Sequence, residues 1–376
     1  ISVTGVQTCA LPIFNNFMNK LENLIFEKDL GSVAQKITRM QKIASFLALA
    51  LKLSNDEEKD LIRALNLCKA DLLSGVVGEF PELQGIMGAI YANLQGENSY
   101  VCQAIEQHYW PQSATDKLPA TLIGSVISLA DKLDTLVGII YKKGKPSGNK
   151  DPFALRRCAI AIIRIILDKN INISLAKLIK VSLESYEQYD QNLSDDIENF
   201  IKQRARGILV EQYSDAGFTS CIDGVLATKE NELIKIFAKV NSLLNFKKHH
   251  NESFVNVLQT FKRASNIVKK AKTDGLNIST KIDSSLLKSA EERTLINQIS
   301  LINEILNKQE LISSLGENKN FYDNLLQKIV AITPSLEAFF LAHMVMVDDL
   351  DLKIARLSML YNIQLISENL ADFTHI

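Results

Sequence analysis

The chain has 376 residues, with 42 Lys plus Arg against 43 Asp plus Glu and a formal net charge of −1. That length suffices for two or three domains with cores of their own, and the balanced charge excludes a chain that is basic throughout, so any polyanion-binding surface has to be local. Five cysteines, Cys9, Cys68, Cys102, Cys158 and Cys221, stand far apart without a CxxC pair, which speaks against a zinc ribbon or a disulfide framework and for reduced, buried thiols in a cytoplasmic protein.

Residues 1–14, ISVTGVQTCALPIF, begin without Met and lack the basic start of a signal peptide. They resemble translated sequencing-adaptor read-through, so the expectation is a non-native segment joined to a chain cut from something longer. Elsewhere no run of about 18 apolar residues occurs, and no transmembrane helix is expected. From Phe14 onward apolar residues recur at helical spacing and strand-like alternation is scarce, which predicts an all-α fold. Ser32 is placed to cap a helix with Ile37, Met40, Ile43, Leu47 and Leu51 on its buried stripe. Ser54 and Glu57 have capping-box spacing for a second helix that leads into Asp71. Shorter helices are expected over Leu83–Leu94 and Val101–His108. Leu122–Ile140 is the cleanest pattern, with Leu129, Leu133 and Leu136 on one face and Asp131 and Asp134 on the other. Asp151-Pro152 has the form of an acidic cap with proline at the first helical position. Helices over Leu175–Tyr186 and Ile197–Tyr213 follow, a boundary is expected near Thr228–Glu232, and Thr333-Pro334 reads as the start of the final helix pair.

The order of residues from Leu67 to Gly85 has the outline of the HD phosphohydrolases. That pattern needs an early His, a His-Asp pair and a last Asp, because imidazole and carboxylate together hold a divalent ion that activates water. Here Asp71 stands as the Asp of the pair and Asp131 as the last ligand, but Ala70 takes the place of the paired His and Arg39 stands near that of the early one. No metal site and no catalytic residue is expected. For Asp71 and Asp131 two readings remain, carboxylates that cap or bridge helices, or a retained contact surface for RNA or a partner. GxSxG, Walker A and Rossmann signatures are absent, and the five histidines show no metal-ligand spacing. Lys235–Lys281 carries ten basic residues against Glu252 and Asp274, a local charge of +8. Such a run either neutralises phosphates or is a solvated helix face, and Phe246, Phe254 and Phe261 read as core.

Longer stretches carry a family resemblance. LGS (Leu30–Ser32), KADL (Lys69–Leu72), GEFPELQGIMG (Gly78–Gly88), EQHYWP (Glu106–Pro111), LADKLDTLVG (Leu129–Gly138) and KDPFALRR (Lys150–Arg157) resemble the β subunit of bacterial tetrameric glycyl-tRNA synthetase. KRASNIVKKA (Lys262–Ala271) and the run from Phe339 to Leu360 continue it. The resemblance implies a degenerate HD-like domain over 15–170, a helical connecting region over 171–230 and an anticodon-binding helical domain over 231–376. It implies tRNA for glycine and an α subunit in an α2β2 assembly as partners, with ATP, Mg²⁺ and aminoacylation at the α subunit, no cofactor in this chain and no membrane. Lys262, Arg263, Asn266, Lys269 and Lys270 are then the candidate anticodon contacts, cations for phosphate and Asn for base edges. Lys150, Arg156 and Arg157 are further tRNA candidates, with a capped structural helix as the competing reading. Leu341 and His343 depart from the family's Asp and Val, and Phe339, Met344 and Met346 read as helix core. The rival functions are an HD-type metal-dependent phosphohydrolase and a non-catalytic helical scaffold.

Overall fold

A computed structural model describes residues 19–146, 150–186, 190–213, 216–312 and 320–376; the segment expected to be non-native, 1–14, lies outside them. Among the described residues the chain forms fifteen α-helices and one short antiparallel hairpin, so the all-α expectation holds. It divides into two compact units. The first runs to Ala205 and adds Asn231–Ile234, and the second comprises Arg206–Glu230 and Lys235–Ile376. The stretch expected to connect two domains, 171–230, is thus divided between the units.

In the first unit, strands β1 (Ile25–Glu27) and β2 (Gly31–Ser32) lead into α1 (Val33–Leu51). Ser32 caps it in a closed box: its Oγ accepts from Gln35 N at 3.3 Å while Gln35 Oε1 accepts from Ser32 N at 2.9 Å. The Ser54–Glu57 box opens α2 (Asn55–Leu67) as its spacing predicts. The helix expected over Leu83–Leu94 is broken. A 3-10 turn at Pro81–Leu83, after α3 (Gly75–Glu79), is followed by Gly85 at φ +81°, and α4 begins only at Ile86 (Ile86–Leu94). Asn98 caps α5 (Ser99–Gln107), two residues earlier than the apolar pattern suggests.

Helix α6 (Leu122–Lys143) is the centre of this unit. It packs on α1, α2 and α5, and also on α7 (Leu155–Asp168) and α8 (Leu175–Glu184). Its second face, carrying Asp131 and Asp134, is therefore buried like the first. The start of α7 differs from expectation as well. Asp151 is not the adjacent cap: its two carboxylate oxygens accept from Leu155 N at 2.8 Å and Arg156 N at 2.9 Å across a turn, so Pro152 sits in the turn and the helix begins at Leu155.

Helix α9 (Gln191–Gln212) runs to the second unit, which contains α10 (Thr219–Leu226), most of α11 (Leu233–His249), α12 (Asn251–Thr273), α13 (Ala290–Ile312), α14 (Phe321–Ala342) and α15 (Leu350–Glu368). Phe254, Val257, Phe261, Ala264 and Val268 form the buried side of α12 against α14 and α15. Phe261 meets Phe373 of the C-terminal turn edge to face at 5.6 Å. By length and composition α14 passes the test for a membrane span, but its apolar side faces α12 and α13 inside the unit.

Pro334 corrects the sequence reading, for it lies inside α14 rather than at a helix start. The buried series Ile329, Ile332, Thr333, Leu336 and Phe340 runs through it at helical spacing, and that burial outweighs the roughly 3 kcal/mol an interior proline costs. Met344 and Met346 are not helix core either. The helix ends at His343, whose own backbone is extended, and in the segment after it Val345 is buried while Met344 and Met346 are exposed; Phe339 is core as expected. Because Pro334 is exposed, Pro334→Ala restores a backbone donor to Val330 without disturbing packing. The variant is expected to gain about 1–2 kcal/mol after the smaller loss from a freer unfolded chain, seen as a higher thermal midpoint. A lower midpoint would show that the unit needs the break.

Candidate functional site

The HD-like positions in the first unit do not form one cluster. Asp131, from the middle of α6, holds Lys36 Nζ of α1 at 2.9 Å on one oxygen and Lys69 Nζ at 2.9 Å on the other. Lys36 also reaches Asp134 Oδ2 at 3.1 Å. Arg39, one turn along α1, pairs with Asp134 through Nε at 2.6 Å and donates from Nη1 to Leu30 O at 3.1 Å. The residue of α1 that meets the last-ligand carboxylate is thus Lys36, and on the turn after α2 it is Lys69; Arg39 and Ala70 do not. Aromatic faces complete the enclosure, with Lys69 over Tyr109 at 3.9 Å, Lys36 over Phe26 at 4.3 Å and Arg39 over Tyr186 at 4.5 Å. Tyr186 donates its hydroxyl to Asp134 Oδ1 at 2.8 Å.

Burial alone would raise the Asp131 carboxyl, but Lys36 and then Lys69 hold it well below the usual carboxylate range. Among the described residues Lys132 has no carboxylate within ion-pair distance. Burial, with the repulsion of Lys69 and Lys36, pushes it down to about 8 against the pull of Asp131, and its Nζ donates to Ser128 Oγ at 2.8 Å and Trp110 O at 3.1 Å. His108 is buried beside the cluster, its Nδ1 2.5 Å from Ile105 O and therefore the protonated nitrogen, while Nε2 meets no hydrogen-bond partner among the described residues. Burial first, then the positive Lys69, keeps this imidazole well below its ordinary value.

Asp71 is turned to a different task. Its Oδ2 accepts from Gly85 N at 2.6 Å and Gly88 N at 3.2 Å, supplying the N-terminal cap that α4 lacks because its own cap residue is glycine. A Cβ at Gly85 would lie 2.8 Å from the Tyr109 ring, and one at Gly88 would lie 3.1 Å from Asp71 Oδ2, so the two glycines of GEFPELQGIMG make room for this clamp. Burial raises the Asp71 carboxyl, opposed by the Gly85 N–H. Asp71 and Asp131 therefore cap and bridge helices, one of the two readings the sequence leaves open. A divalent ion does not fit here. It needs deprotonated donors, and both oxygens of Asp131 face ammonium groups. Among the described residues no three His, Cys, Asp or Glu side chains gather as a metal-binding group.

The second unit offers a different surface. Arg263, Asn266, Lys269 and Lys270 are exposed on the side of α12 opposite its buried stripe, and Asn256 and Gln259 extend the row toward the helix start. From Asn256 to Lys270 that row is about 21 Å long. Arg263 lies over the Phe340 ring at 4.3 Å, which holds it in place without neutralising it. Lys262 is half-buried and donates to Ile376 O at 3.2 Å. Other lysines of the basic run are structural: Lys239 is buried against Glu230 at 2.9 Å, Lys272 stacks on Tyr361 at 3.4 Å and Lys247 donates to Gly217 O. His343 links Glu291 to Arg356, at 3.3 Å each, while Leu341 is 88% exposed. Of the first unit's candidates, Lys150 and Arg157 are exposed and Arg156 is half-buried.

The chain thus combines a closed, ion-paired helical unit with a helical bundle that carries an outward row of cations and amides. Residues 257–372 accordingly match the family model of the DALR anticodon binding domain. Residues 12–226 match that of the glycyl-tRNA synthetase beta subunit, and the chain belongs to that family. Proteins named glycine–tRNA ligase beta subunit are similar along nearly its whole length. The one from Syntrophomonas wolfei is 36% identical over 363 residues, covering 95% of this chain and 50% of the relative. That of Buchnera aphidicola is 37% identical over 360 residues, covering 95% and 49%. The chain spans about half the length of these relatives.

Two outcomes follow for the first unit. Lys69→Met removes one ammonium and leaves Asp131 half-compensated, so it is expected to cost about 3–5 kcal/mol, read from chemical denaturation of the unit's helices. A loss below about 1 kcal/mol would mean that Lys36 suffices. For His108 the folded imidazole has the lower affinity for protons, so its share of stability is intact above the unfolded value near 6.5 and is lost as pH falls below it. The slope approaches about 1.4 kcal/mol per pH unit. His108→Gln should flatten the dependence between pH 7 and pH 5.5, and an unchanged slope would rule this group out.

Proposed function

We propose that this chain is the tRNA-binding part of a glycine–tRNA ligase β subunit and serves the ATP-dependent attachment of glycine to its tRNA in the cytoplasm. Catalysis, ATP and Mg²⁺ belong in this reading to a separate α subunit within an α2β2 assembly. The relatives that carry the same name support it, and so does the DALR match over the second unit. The observation that carries it is the exposed face of α12. There Arg263, Lys269 and Lys270 can meet phosphates while Asn256, Gln259 and Asn266 offer paired donors and acceptors to base edges. In the first unit Lys150 and Arg157 provide separate phosphate contacts.

The double reversal Arg263→Glu, Lys269→Glu leaves the buried stripe of α12 untouched and should preserve the fold. It is expected to weaken binding of glycine tRNA at least about tenfold and to lower the slope of log affinity against log salt by roughly 0.7–0.9 per lost phosphate contact. Filter or fluorescence titrations at several salt concentrations measure both quantities. An unchanged slope together with equal affinity for an unrelated RNA would favour a scaffold without selective tRNA contact.

A further inference from the structure

Resting on the RNA-binding reading above, we infer that the groove between α11 and the start of α14 holds one unstacked RNA base carrying an exocyclic amine. The groove has a cavity volume of 590 Å³, and an adjoining one of 300 Å³ shares Ser242, Asn245 and Asp323 with it. Volumes in this range suit small-ligand and single-nucleotide sites. All of its lining lies in the second unit, and its α11 wall precedes the region that matches the anticodon-binding model.

The lining has three parts, each suited to a different part of a nucleotide. Tyr213, Phe246 and Tyr322 supply aromatic surface for stacking, and Tyr213 donates its hydroxyl to Asn241, which fixes its ring. Asn245 from α11 and Gln327 from α14 are exposed amides on opposite walls, able to donate to and accept from a base edge. Asp323, exposed at the start of α14, accepts from Ser242 Oγ at 2.6 Å through Oδ1. A carboxylate at that point favours a base that donates from an amino group over uracil. Lys248 on the rim meets the backbone phosphate. Bases inside a duplex cannot reach such a stacking surface, whereas single-stranded loops splay theirs out. Only His250 separates α11 from α12, so groove and exposed row are consecutive along the chain.

The test titrates the full chain with glycine tRNA in which each anticodon-loop base is removed in turn to leave an abasic residue. One abasic position, originally an amino-bearing base, is expected to weaken binding about 5- to 100-fold. Asn245→Ala, Gln327→Ala should weaken the intact tRNA comparably and cause no further loss with that abasic tRNA. Both residues are exposed, and unchanged helicity and thermal midpoint confirm that the fold is kept. Tyr322→Leu, which retains apolar volume without the π face, should behave like the double variant, whereas Tyr322→Phe keeps native behaviour. Additive losses, or groove variants with native affinity and a native abasic profile, overturn the groove assignment and leave the α12 face standing. If the unaltered chain binds glycine tRNA no better than an unrelated RNA of equal length, the tRNA reading fails and the groove inference with it.

Discussion

The first unit depends on Asp131, held between the ammonium groups of Lys36 and Lys69. These three side chains come from α1, the turn after α2 and the centre of α6, so one carboxylate ties together the elements that enclose the core. Two ammonium groups carry the same total charge as a divalent cation, and they satisfy a buried carboxylate as a metal would. They cannot lower the pKa of a water or polarise a phosphoryl oxygen as a Lewis acid does. The arrangement thus preserves the cohesion of a metal centre while giving up its chemistry. Lys132 shows what burial does to an ammonium without a carboxylate in ion-pair contact: it is pushed down to about 8.

Much of this was legible in the sequence, but not the pairing. Capping boxes at Ser32 and Ser54, and most helices, follow from spacing because each cap acts on its own first turn. Boundaries shifted where the cap is remote, as with Asp71 on α4 and Asp151 on α7, since a donor–acceptor pair closed through a turn or across fourteen residues leaves no local pattern. Lys36 lies with Met40 and Ile43 on the buried stripe of α1, and that was the available signal. It is hidden because Asp131 and Asp134 look like the polar face of an amphipathic α6. Only the packing of helices on every side of α6 makes that face an interior one.

In the second unit composition counts charge, while geometry decides its use. Lys239, Lys247, Lys262 and Lys272 spend their charge or their stems on a carboxylate, carbonyls and an aromatic face. Arg263, Lys269 and Lys270 remain directed outward because Phe261, Ala264 and Val268 fix which side of α12 is buried. Phe254 and Phe261 are core, as their helical spacing suggests, but Phe246 is half-exposed in the groove, near the end of α11 where the stripe turns away from the interior. A period of 3.6 residues identifies a face; it does not tell how deep the neighbouring helix lies.

Buried and exposed cations are thus used in opposite ways, which explains why a chain with net charge −1 can still present a local row of positive charge. Inside the first unit Lys36, Arg39 and Lys69 are matched at short range by Asp131 and Asp134, and a compensated group of buried charges projects little field into solvent. On α12 the cations are uncompensated, exposed and spread over a few turns, within reach of one another at physiological screening lengths of about 8 Å. Attraction of a polyanion thus arises where the charge is left unpaired, independently of the whole-chain sum. The two uses of lysine, buried against Asp131 and exposed on α12, follow from what the surrounding packing leaves within reach of each ammonium group.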